Sequence, residues 1–406
     1  YGFEEVNILF GSGTDVLNVQ GTSTGSFKGI NDALNDFHAA TNISLADGND
    51  RVYISSNADL DYNTIVSDYA VNEGDVFEFL TGHLDDIDGN LNIDVGSGRH
   101  RMLISDEAAS QGDDNVSISD TIISPTGADS FDNIAAAEIQ IKGLAFGDIT
   151  YGAAGDLNSN FYDGIIYWTG SGNDTIDIDG THYRSGTERT ITMLNTGLGD
   201  DDVTVDLDLG EDGFFALHTM GGADTETPVA SNITASDDDT VDASASTLPL
   251  VIFGGLGKDN IIAGQARDIV IGDFGRVQYL QGSNELDTVL GFGGRGDKIS
   301  SLILEPDHVF TTDVNLGGND SLSGKQDGDL LIGGTGKDWI YGDDATASSN
   351  TDDLADILIG DQVNIFLNED ATSENVVLTF TNLAKNIRTT DRTNSIAGDD
   401  DVLIGA

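Results

Sequence analysis

Gly333-Gly334-Thr335-Gly336-Lys337-Asp338-Trp339-Ile340-Tyr341 fits the pattern G-G-x-G-x-D-x-U-x, with U a large apolar residue, at every position. Gly254-Gly255-Leu256-Gly257-Lys258-Asp259-Asn260-Ile261-Ile262 fits it as well. The surrounding acids keep the same period. Asp320, Asp329 and Asp338 stand nine residues apart, and Asp356 and Asp401 follow at multiples of nine. Leu250, Asp259 and Asp268 make a second ladder of the same step. A fixed period marks a repeat architecture in which stacked units share one core. Each unit reads as a glycine-rich turn followed by a short strand.

Over residues 244–406, and more weakly upstream, these units resemble the RTX, or haemolysin-type calcium-binding, family. The resemblance implies an all-β fold, a parallel β-roll or β-solenoid. Two units make one coil, and Ca2+ ions sit between Gly/Asp-rich turns stacked two units apart. It implies ligands from Gly254, Gly255, Gly257, Asp259, Asp268, Asp320, Asp327, Asp329, Gly333, Gly334, Gly336, Asp338 and Asp356. The chemistry suits that set. Calcium takes about 6–8 oxygen ligands in flexible geometry, and glycines let backbone carbonyls turn toward one centre. The U residues Ile261, Val270, Leu322, Leu331, Ile340, Leu358 and Leu403 are expected inside. With two units per coil, Asp320 should stack on Asp338 and Asp338 on Asp356, with Asp329 on the opposite side. Departures are visible. The turn before Asp320 lacks its first two glycines, and Gly272-Asp273-Phe274-Gly275-Arg276-Val277 has Val where Asp is expected.

Upstream the same grammar is looser and reads as irregular repeat-like β domains at 1–105 and 106–222. G-x-G-x-D or a close variant precedes alternating strands at Asp15, Asp50, Asp174 and Asp201, which join the expected metal positions. Gly96-Ser97-Gly98-Arg99-His100 puts His at the Asp position, so no metal is expected there. Alternation with period two is the mark of strands with one buried face. Ile30, Ala33, Leu34 and Phe37 would share one helical face, and Phe131 to Ile139 is a second helix candidate. Residues 223–249, rich in Asp, Ser, Thr and Ala, read as a linker leading into the regular ladder at 250–406. That ladder holds a larger duplication. Asp268-Ile269-Val270-Ile271-Gly272-Asp273 and Asp356-Ile357-Leu358-Ile359-Gly360-Asp361 each precede an apolar arm, Val277–Leu280 or Val363–Leu367. Two tandem modules follow, with a third beginning at the C-terminus. Residues beside the U positions are apolar too, including Val251, Phe253, Ile269, Ile271, Leu330, Ile332, Trp339 and Tyr341. Such an outer stripe needs cover, from the arms or from a neighbouring subunit.

The 406 residues hold 71 Asp and Glu against 17 Lys and Arg, a formal charge of −54. Such acidity excludes docking on nucleic acid or anionic lipid, and bound cations would relieve its self-repulsion. There is no cysteine, so calcium would serve in place of disulfides. No apolar run is long enough to span a membrane. The chain reads as part of something longer. Gly21-Thr22-Ser23-Thr24-Gly25 matches the nucleophile elbow of α/β-hydrolases, but the expected strand-and-turn context makes it a turn. The six histidines show no metal-ligating spacing and read as scattered surface residues. Sequons occur at Asn42, Asn115, Asn173, Asn232 and Asn319. Trp168 and Trp339 read as packing residues before sugar platforms.

These observations lead to the expectation of a secreted, calcium-stabilised structural or adhesive protein of the cell surface, forming a rod, fibre or sheath. It would have no catalytic residues and would meet copies of itself, neighbouring matrix proteins or glycans. The alternative is an exported hydrolase or polysaccharide-modifying enzyme that carries such repeats.

Overall fold

The computed structural model describes residues 5–23, 39–58, 82–120, 138–153, 161–183, 190–219, 237–281, 285–291, 293, 299, 306–343, 356–366, 387–389 and 401–404. These are all-β, without a helix. One sheet has thirteen strands. It takes β1 (Glu5–Leu9), β3 (Ala40–Ser44), β5 (Asn90–Asp94), β7 (Val116–Ser119), β8 (Ile139–Lys142), β9 (Ile149–Gly152), β11 (Thr175–Ile178), β13 (Asp202–Val205), β15 (Thr240–Asp242), β17 (Asn260–Ile262), β22 (Ser321–Lys325), β24 (Trp339–Asp343) and β28 (Val402–Ile404). A second sheet of ten takes β2 (Val16–Val19), β4 (Arg51–Ile54), β6 (Arg101–Ser105), β10 (Ile165–Trp168), β12 (Ile191–Asn195), β14 (Phe214–His218), β16 (Leu250–Phe253), β18 (Ile269–Ile271), β23 (Leu330–Ile332) and β25 (Ile357–Ile359). The chain alternates between the two. Pairing within each is parallel, apart from an antiparallel meander of β7, β8 and β9. A third, antiparallel sheet joins β20 (Glu285–Leu290), β19 (Gly275–Gln281), β21 (Pro306–Thr311), β26 (Val363–Phe366) and β27 (Ile387–Thr389).

The two large sheets differ in composition because they differ in cover. First-sheet strands such as β11 and β13 alternate, with Ile176, Ile178, Val203 and Val205 buried and Thr175, Asp177, Asp202 and Thr204 exposed. Second-sheet strands such as β10 (Ile165-Ile166-Tyr167-Trp168) and β16 (Leu250-Val251-Ile252-Phe253) are apolar throughout and buried on both faces. Continuous apolar runs are what a doubly covered parallel sheet requires. Inward residues of both sheets form one cluster, which includes the U residues Ile261, Val270, Leu322, Leu331 and Ile340. Leu358 is partly buried against it, while Leu403, in the last coil, is exposed.

The outer face of the second sheet forms a separate core. Val251, Phe253, Ile269, Ile271, Leu330 and Ile332 pack with Val277, Tyr279, Val309, Val363 and Ile365 of the third sheet. Cover by the chain's own arms is therefore what this stripe receives, at about 1.5–3 kcal/mol per large side chain removed from water. The side chains of Leu280 and Leu367 lie outside the described residues. On the first sheet Trp339 stays partly exposed.

Of the two expected helices, 30–37 and 131–137 lie outside the described residues. Ile139, expected to end the second, instead opens β8. Residues 240–242, within the segment expected as a linker or the entry coil of the ladder, form β15, which pairs with β13 and β17. Hydrogen-bonded strand pairs also bridge residues 105/106 and 223–249.

Candidate metal centre

Glycine-rich turns line both edges where the chain crosses between the large sheets. At the edge leading from second sheet to first, the turns stack in register. Residues Asp106, Thr169, Thr196, Thr219, Gly254, Gly272, Gly333 and Gly360 fall in one column, fixed by bonds such as Thr196 N to the His218 carbonyl (3.1 Å) and Gly254 N to the Ile271 carbonyl (2.9 Å). A second column holds the acids. Asp113, Asp174, Asp201, Asp239, Asp259, Asp320 and Asp338 each donate their backbone N–H to Oδ1 of the next, ending on Asp401, at 2.6–3.0 Å. One carboxylate oxygen per turn thus builds the ladder, and the other is left over.

In the glycine turns that second oxygen is an orphan, as it is on Asp113, Asp201 and Asp239 farther up the ladder. Oδ2 of Asp259, Asp320 and Asp338 is buried without a hydrogen-bond partner, and all three residues are fully buried. A Cβ added at Gly254 would meet both the Gly272 carbonyl oxygen and Asp259 Oδ2. One at Gly272 would meet Asp320 Oδ2 and the Gly333 carbonyl, and one at Gly333 would meet Asp338 Oδ2 and the Gly360 carbonyl. Each turn therefore aims a carboxylate oxygen and a carbonyl oxygen at a spot that only glycine leaves clear. Buried acceptors without donors are costly, and a hard cation is the partner that such oxygens suit. Among the described residues no three His, Cys, Asp or Glu side chains form a cage. The converging oxygens combine one side chain with backbone.

Burial pushes these carboxyls upward, and like charges add to it. Asp320 rises to about 8 and Asp338 to about 7. Asp259 goes well above the carboxylate range through burial and the charges of Asp320 and Asp239. At the opposite edge burial and Asp268 carry Asp329 to about 10.

That opposite edge, from first sheet to second, is more mixed. Asp268 N donates to Asp329 Oδ1 (2.8 Å) and Asp329 N to Asp356 Oδ1 (3.0 Å). Asp329 Oδ2 is an orphan facing Gly324 and the Gly342 carbonyl. Asp268 differs, since its Oδ1 accepts from Leu250 N and its Oδ2 from Gly264 N, both at 2.7 Å. Asp327 has turned to Arg267 Nε (3.3 Å). Farther up, Asp15 N bonds Asp50 Oδ1 (2.9 Å), and His100 Nδ1 lies 3.3 Å from Asp50 Oδ2 with both side chains buried.

One stacking expectation is corrected. Asp320 does stack on Asp338, but Asp338 stacks on Asp401, and Asp356 belongs beside Asp329 on the other edge. The eighteen-residue gap from Asp338 to Asp356 mimics two units. Among the described residues it contains one strand, β24, and residues 344–355 lie outside the description. The irregular Gly272-Asp273 turn is a split unit. The third sheet's excursion interrupts it, and Gly318-Asn319-Asp320 completes it. Asp273 ties the halves, accepting from Gly318 N at 2.9 Å and from Thr335 N.

Asp113, Asp237, Asp239 and Asp273 went unrecognised among the candidates. Asp237-Asp238-Asp239-Thr240-Val241 carries the D-x-U signal, masked by composition. The histidines also differ from expectation, since His100, His182 and His218 are buried. Phe161 sits edge-on to both His100 and His182, and His218 stacks on Phe253. Burial lowers His218 to about 3, so it stays neutral. Asn42 is buried, donating to Asn7 Oδ1 at 2.9 Å, which removes it as a glycan acceptor. No family model, curated protein or solved structure matches the chain.

Proposed function

We propose that this chain is a secreted, calcium-stabilised structural or adhesive protein, a two-sheet β-roll whose glycine-edge turns hold several calcium ions. The observation that carries the reading is the column of orphaned oxygens on Asp259, Asp320 and Asp338, each set beside a backbone carbonyl that glycine leaves unshielded. Asp329, with the Gly324 and Gly342 turns, would supply the opposite edge. Bound calcium would supply the positive charge that these buried carboxylates lack. The chain's own residues fix the oxygens in register through the amide-to-carboxylate ladder. The formal charge of −54 favours a compact state only when cations screen it. Extracellular calcium modules bind at roughly 10⁻⁴–10⁻³ M, so free calcium outside the cell would act as the folding partner. The exposed face of the first sheet, with Trp339 at its end, is the surface offered to copies of the chain, matrix proteins or glycans.

Far-UV circular dichroism and sedimentation, followed while calcium is returned after EGTA, test this. Cooperative gain of β signal with compaction near millimolar calcium is the expected result. An equally folded, equally compact chain in EGTA would refute it.

A further inference from the structure

We propose that the hydroxyls of Thr169, Thr196 and Thr219 stand where the glycine turns leave room for a cation, so the coils they edge hold together without metal. Calcium dependence then begins at Gly254. The inference rests on reading the glycine turns as calcium sites.

The two kinds of turn occupy one column and can be compared atom for atom. In the glycine turns an Asp Oδ2 and the carbonyl of the next turn face a common spot with no donor between them. In the threonine turns a hydroxyl fills that spot and serves the carbonyl, while Oδ2 of Asp201 and Asp239 still has no hydrogen-bond partner. Thr169 Oγ1 donates to the Thr196 carbonyl (3.0 Å) and also touches Asp174 Oδ2. Thr196 Oγ1 donates to the Thr219 carbonyl (2.8 Å), and Thr219 Oγ1 to the Gly254 carbonyl (2.6 Å). The hydroxyls make a continuous chain that ends at the first glycine. Each carries one proton, and in Thr196 and Thr219 it goes to the carbonyl. Calcium–oxygen bonds of about 2.3–2.6 Å leave no place for an ion where that oxygen already sits.

The other edge of the same segment supports the division. Asp212 accepts from Thr181 N at Oδ1 (2.6 Å) and from Asp208 N at Oδ2 (2.7 Å). Both of its oxygens are served from within the protein. Asp174 and Asp201, expected as metal ligands from the sequence, are thereby assigned to the hydroxyl-edged coils. These coils form a preassembled platform on which the glycine-edged coils stack as calcium arrives. In stacked repeats, where each unit's stability depends on its neighbour, such a platform removes the need to nucleate the calcium-bound part alone.

Hydrogen exchange of the full chain, read by mass spectrometry in EGTA and in saturating calcium, tests this strand by strand. In EGTA, Leu330–Ile332 and Trp339–Asp343 should exchange at least about a hundredfold faster. Thr175–Ile178 and Ile191–Asn195 should change less than about twofold. Loss of protection in both groups together would overturn the inference while leaving the calcium reading standing. Retained protection in both would overturn the calcium reading itself. The Thr196→Gly variant gives a second readout, calorimetric titration with calcium. One additional bound ion is expected, and an unchanged stoichiometry in a folded variant would count against the proposal. If the variant does not fold, the exchange pattern of the unaltered chain decides.

Discussion

Thr169 to Thr219 and Gly254 to Gly360 follow one another in a single column, on the same sheets, with the same acid ladder beside them. They solve the same problem differently. Each turn has a carboxylate oxygen left over after the ladder has taken its partner. Threonine fills the spot beside it with a hydroxyl that serves the next carbonyl, whereas glycine leaves that spot clear. On the proposed reading, a one-residue difference per turn separates a self-contained stack from one whose stability would be linked to an ion. The first is insensitive to its surroundings, and the second reports on them.

The largest expected effect comes from a Cβ placed where the turns stack backbone on backbone. A Cβ at Gly336 would overlap the Gly318 carbonyl at a φ of 124°. Gly336→Ala should therefore cost about 4 kcal/mol or more and abolish cooperative melting of the glycine-edged coils in calcium. Gly210, at φ 102° with open space around it, is the control. Gly210→Ala should cost only about 1 kcal/mol. Equal losses would mean that close backbone stacking does not distinguish the turns.

Asp320→Asn should change sign with the medium. In calcium it weakens binding, with the folding midpoint moving about tenfold higher in calcium. In EGTA it removes a buried charge and should raise the urea midpoint. The same substitution at Asp212, whose oxygens are both hydrogen-bonded, should lower the midpoint in both media.

Acidity offers a third comparison. Folded Asp320 and Asp338 titrate at about 8 and about 7, above the ordinary 3.8. The folded chain then binds more protons than the unfolded one between those values. Its calcium-free stability is present below 3.8 and is lost as pH rises through 7 to 8. Asp174, at about 6, completes its loss earlier, whereas Asp201 at about 7 and Asp239 at about 9 span the glycine-edged values. His218, lowered from 6.5 to about 3, opposes the trend, because its stability is lost as pH falls below 6.5. Urea midpoints in EGTA should be higher at about pH 5 than at about pH 8, and the order should reverse in calcium, with which protons compete.

Two smaller effects complete the comparison. Thr196→Ala should cost about 1 kcal/mol equally with and without calcium, by thermal unfolding. Trp339→Asp, at a side chain 38% exposed, should shift stability by no more than about 0.5 kcal/mol. A fall in sedimenting mass would make that face a contact between copies.

Much of this was legible in the sequence. The turn-and-strand unit, the inward U residues and the all-β class follow from period and alternation, because repeated chemistry in one chain gives repeated geometry. The doubly buried sheet was signalled by the apolar neighbours of the U residues. Its cover came from the arms at Val277 and Val363. What misled was counting. Asp356 lies a whole number of periods beyond Asp338, yet it pairs with Asp329 on the opposite edge, and arithmetic cannot tell one edge from the other. The split turn at Gly272 and Asp320 hides for the same reason. The threonines were invisible because hydroxyls and glycines are equally at home in turns, and only the stacked register reveals that they share a place.

The split turn also has a consequence for timing. Asp259 cannot make its ladder bond until Asp320 is present, sixty-one residues later in the chain. Asp268 waits equally long for Asp329. Where the coil between Asp174 and Asp201 closes over 27 residues, this one, like that between Asp113 and Asp174, must wait for sixty-one. Contacts so distant along the chain form slowly. A chain winding from its first coils onward would therefore pause there, half-wound, until the excursion that carries β19 to β21 had formed.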